Sequence, residues 1–318
     1  MAMPRGFVKT RRLSRVNART AVMSDATRER GGHMDLQAGM PVDRARSEGR
    51  AVAAWPQLLP LARLMQTARR FFRSAGDLAL PPTCLCCDRL VASDQALCFH
   101  CWHEMPFLAP PWCQRLGLPF AYDLGPGAVS PQAIAKPPVY DRLRAVSAYS
   151  GPARALVARL KYHDRPSVSR AMGRWMARAG DELLVMDPAG AGPPLLVPVP
   201  LHPFRNWSRR YNQAGLLARE ILRARAHVEI CADGLRRVRA TRRQVGLDAS
   251  ARAKNVRGAF AVSREGALAV AGRRCVLIDD VHTTGATANA AARVLAKAGA
   301  ASVDVLVFAH AGADRPLG

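Results

Sequence analysis

The chain has 318 residues, 49% of them hydrophobic, enough for one large or two ordinary domains with a sizeable core. Lys and Arg outnumber Asp and Glu by 47 to 24, a formal net charge of +23. That balance points to acidic partners (nucleic acid, polyphosphates or anionic surfaces) unless it reflects an arginine-rich coding bias. No apolar run is long enough to span a bilayer and no charged n-region precedes an apolar h-region, so no integral membrane segment is expected and the cytoplasm is the expected compartment. There the eight cysteines read as metal ligands or buried thiols rather than disulfides.

Residues 1–55 are Arg-rich with little apolar periodicity and read as a disordered basic tail. Residues 56–80 predict an amphipathic helix: Leu61, Leu64, Met65, Ala68, Phe71 and Phe72 recur at three and four, with Arg63, Arg69, Arg70 and Arg73 largely elsewhere. Such a helix suits packing against the rest of the chain or a membrane surface.

Residues 81–139 carry metal chemistry and then a Pro/Gly-rich linker. Cys84 with Cys87, and Cys98 with Cys101, form two CxxC knuckles separated by ten residues. Two such turns converge four thiolates on one tetrahedral Zn2+, a closed and therefore structural site. Cys86, His100 and His103 are spare. Cys113-Gln-Arg-Leu116-Gly has the outline of a further knuckle with leucine in place of its second cysteine. No matching CxxC follows, so Cys113 is expected to be an ordinary thiol in a metal-free remnant.

From Tyr140 to the end the pattern is α/β. Strands are expected at Leu143–Tyr149, Leu195–Pro200 and Ser302–Ala309. Helices are expected from Gly151 to about His163, across Trp175 to Leu184, and from Tyr211 onward with Leu216, Leu217, Ile221 and Leu222. Residues 235–257 are polar and basic and read as a strand end followed by an exposed, mobile loop.

The most informative stretch is Arg273 to Gly299. A buried strand, Cys275-Val276-Leu277-Ile278, runs into Asp279-Asp280, then Val281-His282-Thr283-Thr284-Gly285-Ala286-Thr287, then an Ala-rich helix closed by Lys297 and Gly299. A helix start offers unpaired N–H groups and the positive end of its dipole to a phosphate. Thr283, Thr284 and Thr287 add hydroxyl donors, and Gly285 admits close approach of the backbone. The two acids would repel a phosphate but can accept hydrogen bonds from sugar hydroxyls, directly or through a metal. A phosphorylated ribose satisfies both halves. The plainer alternative, a βα turn with a solvated acid pair, accounts for Gly285 but not for the threonines and acids together.

VLIDDVHTTGAT resembles the phosphoribosyl pyrophosphate loop of type I phosphoribosyltransferases. That resemblance implies that Asp279 and Asp280 hold the ribose hydroxyls and that Thr283, Thr284, Gly285, Ala286 and Thr287 hold the 5′-phosphate. More narrowly, the order of pieces from Pro81 onward is similar to the ComF competence protein family. It matches in the cysteine knuckles, Lys161-Tyr162, VPVPLH (Val197 to His202), RRYNQA (Arg209 to Ala214), Thr241 with Gln244, Arg252 with Asn255-Val256, and Phe260. The resemblance implies a fold: a type I phosphoribosyltransferase-like parallel sheet with flanking helices over residues 140–318, preceded by a small zinc-ribbon lobe. It also implies phosphoribosyl pyrophosphate with Mg2+ as ligand, and a role in taking up or processing transforming DNA alongside the competence machinery. Members often carry a second pair of knuckles, from which Leu116 departs.

Pyrophosphate calls for basic groups. The candidates are Arg209 and Arg210, and Arg242, Arg243, Arg252 and Lys254 in the basic loop. The same residues are candidates for single-stranded DNA. Residues 201–260 hold fourteen Lys and Arg against four Asp and Glu, with Phe204, Trp207 and Tyr211 interleaved, and aromatic faces among charges can stack bases. Alternatively the arginines serve pyrophosphate and the aromatics the core. A catalytic base is harder to find. Thr283 stands where 6-oxopurine-using relatives have an acid, and His282 is either a titratable base or a hydrogen-bonded bystander. Two functions stay open: a phosphoribosyl pyrophosphate or nucleotide binder acting on DNA, and an active phosphoribosyltransferase in nucleotide metabolism or salvage with an unidentified acceptor.

Overall fold

The structure is a computed structural model. It describes residues 81–162, 166–186, 192–201, 211–239, 256, 258–314 and 317. The expected tail and amphipathic helix lie outside these residues. So do Arg209, Arg210, Arg242, Arg243, Arg252 and Lys254.

The first described segment, up to residue 139, is mostly turns, with two short helices, α1 (Phe99–His103) and α2 (Pro131–Ala135). Helix α2 begins as its sequence dictates: Ser130 Oγ accepts from Ala133 N, and Pro131 occupies the first position, where its missing N–H is no loss. An α/β unit follows in the order β1 (Leu143–Ala148), α3 (Gly151–Tyr162), α4 (Pro166–Ala179), α5 (Asp181–Leu184), β2 (Leu195–Pro198), α6 (Gln213–Ala224), β3 (Glu229–Ile230), β4 (Leu235–Arg237), β5 (Phe260–Val262), α7 (Arg264–Val270), β6 (Arg274–His282), α8 (Ala286–Lys297) and β7 (Ser302–His310). Strands β1, β7, β6, β2 and β3, in that spatial order, form one five-stranded sheet whose pairings are all parallel. Strands β4 and β5 pair antiparallel as a separate ribbon.

A parallel sheet covered on both faces needs strands that are apolar at every position, and residues 275–278 of β6 and 305–309 of β7 show it. Alternate residues face opposite ways. Val276, Ile278, Leu306 and Phe308 join a cluster with Leu156, Leu160, Met172, Met176, Leu217 and Ile221 from α3, α4 and α6. Cys275, Leu277, Val305 and Val307 join the opposite cluster with Val270, Ala288, Ala291, Ala292 and Leu295 from α7 and α8. The alanines of α8 thus serve close helix-to-sheet approach as well as helix propensity.

One expected helix is two. The run from Trp175 to Leu184 is divided at Gly180 into α4 and α5. A Cβ at Gly180 would lie 2.6 Å from Leu306 Cδ2, so a larger residue there would force that buried leucine of β7 to shift. Strand β6 runs beyond the expected end at Ile278, through both acids to His282, because β7 continues beside it as far as the His282–His310 pairing. The short strands β3 and β5 and the Ser263-capped helix α7 lie in stretches with little apolar periodicity, and sequence reading did not anticipate them.

Helices α4 and α6 meet at Gly173, where an added Cβ would sit 2.3 Å from Glu220 Cβ. Gly173→Val should therefore destabilise the protein by roughly 1–3 kcal/mol through overpacking. Urea titration would show this as a lowered midpoint, whereas an unchanged midpoint would mean that the two helices can separate freely.

Candidate functional site

In open α/β sheets, ligands bind at the carboxyl ends of the strands. Asp279 and Asp280 stand at that end of β6, a central strand. Being neighbours on a strand, they face opposite sides. Asp280 shares the face of Val276 and Ile278, which is the face that α3 covers. Lys161, in the last turn of α3, reaches it there: Lys161 Nζ is 2.6 Å from Asp280 Oδ2. Asp279 Oδ1 accepts the Asp280 backbone N–H at 2.9 Å.

The pair is short of positive charge. Burial first, and the Asp280 charge second, push the Asp279 carboxyl well above the ordinary carboxylate range. Burial alone would lower the Lys161 ammonium, but the charges of Asp280 and Asp279 hold it above its ordinary value. Two adjacent acids with one lysine leave room for a proton, a cation or hydroxyl donors. Sequence reading noted Lys161 as part of a motif but did not place it beside the acids.

Beyond His282 the chain turns through Thr283 and Thr284, both exposed, and Gly285, buried in the left-handed region at φ 75°. Helix α8 then starts at Ala286, with Thr287 in its first turn. The loop is therefore shorter than expected, and Gly285 is required by its backbone angle. The helix start receives no side-chain cap from Gly285, which leaves its N–H groups to other acceptors.

The floor of the loop is built from His282 and from residues that sequence reading did not assign to the site. A Cβ on Gly285 would meet His282 Nε2 at 3.1 Å and Asn289 Nδ2 at 3.2 Å. Tyr140 OH lies 3.3 Å from His282 Nε2, and Asn289 Oδ1 accepts from Val139 N at 2.6 Å. The rings of His282 and His310 are 4.5 Å apart, and His310 Nδ1 donates to Ala311 O at 2.8 Å. Burial and the neighbouring His310 push His282 down to about 3, and burial pushes His310 down to about 4. His282 is therefore neutral near pH 7 and too weakly basic to serve as a general base. The bystander reading of His282 accords with this geometry.

Tyr211 and Asn212, expected among DNA-contacting residues and motif residues, have structural partners. Tyr211 OH donates to Leu160 O at 3.1 Å, next to Lys161. Asn212 caps α6 through Ala214 N and donates to Val199 O at 3.2 Å.

The second candidate centre lies among the cysteines. One sulfur from each of Cys84, Cys87, Cys98 and Cys101 lies within 4.8 Å of all the others. A tetrahedral zinc with Zn–S of about 2.3 Å needs sulfurs about 3.8 Å apart, so a small contraction completes the set. Cys84 Sγ accepts N–H bonds from Cys98 at 3.2 Å and Cys86 at 3.4 Å. Burial raises this thiol, but the backbone donors outweigh it and bring it down to about 7. Cys101 is pushed strongly up by burial and by neighbouring thiols. Such a crowded donor set fits a thiophilic cation, which would release the protons and relieve the repulsion. The spare Cys86 instead turns its sulfur toward Pro152 O, 4.0 Å away.

The fold and these two sites define a class: a zinc-ribbon lobe joined to a phosphoribosyl transferase domain. Residues 75–132 match the double zinc ribbon domain, and residues 221–317 match the phosphoribosyl transferase domain. The chain is 34% identical over 233 residues to DNA utilization protein YhgH of Salmonella typhimurium, covering 72% of this chain and 96% of the relative. It is 31% identical over 229 residues to the protein of the same name in Escherichia coli K12, covering 70% and 87%. It is 29% identical over 250 residues to Competence protein F of Haemophilus influenzae, covering 76% and 97%. The chain belongs to this ComF family, as its motifs indicated. No described helix is long and apolar enough to cross a membrane.

The buried histidines carry a pH signature. Both folded values lie below the ordinary histidine value of about 6.5. As pH falls below about 6.5, the unfolded chain takes up two protons that the folded chain refuses, so stability falls by up to about 2.7 kcal/mol per pH unit until the folded values are reached. Asp279, raised in the fold, acts in the opposite sense: its contribution is greatest at low pH and is lost as pH rises. Comparing wild type with His310→Phe isolates the histidine part. Between pH 6.5 and 5 the variant should lose stability more slowly, and parallel curves would refute the assignment.

Proposed function

We propose that the chain binds phosphoribosyl pyrophosphate at the carboxyl end of β6 and acts in DNA uptake or utilisation, with one structural zinc in its ribbon lobe. The observation that carries the reading is the juxtaposition of two underneutralised carboxylates with an uncapped, glycine-entered helix start. Asp279 and Asp280 accept the ribose 2′ and 3′ hydroxyls. Thr283, Thr284, Gly285, Ala286 and Thr287 receive the 5′-phosphate. Mg2+ bound with the ligand supplies positive charge near the acid pair and the pyrophosphate. Lys161 pairs with Asp280 and orients it before the ligand arrives. Arg209, Arg210, Arg242, Arg243, Arg252 and Lys254 supply charge for pyrophosphate or for single-stranded DNA. Cys84, Cys87, Cys98 and Cys101 hold the zinc. The DNA role follows the relatives, whose names speak of DNA utilization and competence, together with the basic stretch from 201 to 260.

Binding is favoured over catalysis because the described loop offers no competent base: Thr283 does not titrate, and His282 is held at about 3. An active transferase would release pyrophosphate from phosphoribosyl pyrophosphate in the presence of some base or amine acceptor. We expect binding without that release.

Calorimetry with phosphoribosyl pyrophosphate and Mg2+ tests the site. Each charge-assisted carboxylate–hydroxyl bond contributes about 1.5–3 kcal/mol, so Asp280→Asn should weaken binding by about one to two decades. Thr284→Val should weaken it through the phosphate instead. Absence of binding by wild type at millimolar ligand, or full binding by both variants, would sink the proposal.

Single-stranded DNA affinity should fall steeply with salt. If Arg209 and Arg210 each neutralise one phosphate, replacing both with alanine should flatten the log–log salt slope by about 1.4. No binding even at low salt would remove DNA from the partners.

A further inference from the structure

The double zinc ribbon domain matched by residues 75–132 leads one to look for a second metal, and no second CxxC pair is present. The hydrogen bonds nevertheless contain a second ribbon. In the first half, Thr83 and Leu90 form an antiparallel bridge, Cys84 N donates to Arg89 O at 2.7 Å, and Asp88 N donates to Cys84 O at 3.3 Å. Twenty-nine residues later the pattern repeats: Trp112 bridges Pro119, Cys113 N donates to Leu118 O at 2.8 Å, and Gly117 N donates to Cys113 O at 2.8 Å. The turn residues Asp88 and Gly117 share the left-handed conformation, at φ 61° and 62°.

The far side of each half repeats as well, displaced by three further residues. Leu85 N donates to Ala96 O, and Gln114 N to Ala128 O. Cys98 N donates to Cys84 Sγ at 3.2 Å, and Ser130 N donates to Cys113 Sγ at 3.3 Å. Cys98 and Ser130 each precede a five-residue helix, with nearly equal backbone angles of φ −68°, ψ 163° and φ −68°, ψ 150°.

From this register we infer that residues 112–135 are a zinc ribbon that has exchanged its metal for an apolar plug, with Cys113, Leu116, Ser130 and Ala133 standing where the first half has Cys84, Cys87, Cys98 and Cys101. The inference extends the zinc reading of the first half and rests on it for the identity of the ligand positions. Cys113 and Ala133 are buried with Phe120, and Leu116, Ala128, Val129 and Leu317 pack around them. A leucine, a serine hydroxyl and an alanine methyl supply no thiolate, so this half does not fit zinc.

The neighbouring sheet explains why the metal is dispensable. Leu143 N, at the start of β1, donates to Arg115 O at 3.0 Å. Arg144, fully buried on β1, donates to Gln114 O at 3.0 Å and pairs with Glu182. Leu317 N donates to Pro119 O at 2.8 Å, and Ala121 N donates to Leu317 O at 3.0 Å. A ribbon held on two sides by a folded domain no longer needs an ion to order it.

The test is zinc content by mass spectrometry of the full chain, wild type against Leu116→Cys/Ser130→Cys/Ala133→Cys. The triple variant should carry about one zinc more than wild type, and equal contents in two folded proteins would overturn the inference. Wild type is expected to hold about one. A wild-type content of two overturns the inference, whereas a content of zero refutes the first-half zinc and leaves the difference between the two proteins to judge the second half. Should the triple variant not fold, Cys113→Ala decides: unchanged zinc content in a folded protein supports the plug, and loss of zinc overturns it.

Discussion

Two carboxylates set side by side at the end of a central parallel strand are the constraint around which the site is arranged. A buried carboxylate without compensation is costly, and two adjacent ones repel. The fold meets half of that need. Helix α3 ends on the face to which Asp280 points, and its last turn delivers Lys161 to within 2.6 Å. A cation in the last turn also suits the negative end of the α3 dipole. The other half, at Asp279, is left to a proton in the free protein. On the proposed function this arrangement suits hydroxyl donors and a metal, and proton loss from Asp279 would accompany ligand arrival.

The phosphate side depends on the opposite strategy. There the protein removes charge. His282 and His310 are held neutral by burial beneath Gly285, so on the proposed reading a phosphate would meet N–H and hydroxyl donors rather than imidazolium charge. Neutral rings also pack closely, at 4.5 Å between centroids, where two imidazolium ions would repel. The cost is acid sensitivity of the fold, and the benefit is a rigid floor under a loop whose two exposed threonines must stay open to solvent.

How much of this was legible in the sequence depended on whether the chemistry is contiguous. Asp279, Asp280, Thr283, Thr284, Gly285 and Thr287 fall within one strand–loop–helix unit, so composition and spacing alone singled that unit out as the candidate site. The cysteine knuckles were legible for the same reason. Lys161 and Tyr140 lie more than a hundred residues upstream of the loop, and only the winding of the sheet brings them to it. The continuous apolar run from Cys275 to Ile278 told where β6 began but not where it ended, because its extension to His282 is set by pairing with β7 rather than by its own residues. The second ribbon was illegible past Gly117 because three of its four ligand letters have changed. What persists is a backbone hydrogen-bond register, to which periodicity is blind.

The ribbon lobe and the phosphate loop meet in one short segment, residues 138–140. From the lobe side, Arg115 Nη2 donates to Pro138 O at 3.2 Å and to Tyr140 O at 2.9 Å. From the loop side, Val139 N is held by Asn289 of α8, and the Tyr140 hydroxyl meets His282. Backbone groups of three consecutive residues are thus divided between the two sites, and Tyr140 is fully buried between them. A displacement of the second ribbon must move Pro138 and Tyr140, and with them the floor on which Gly285 rests.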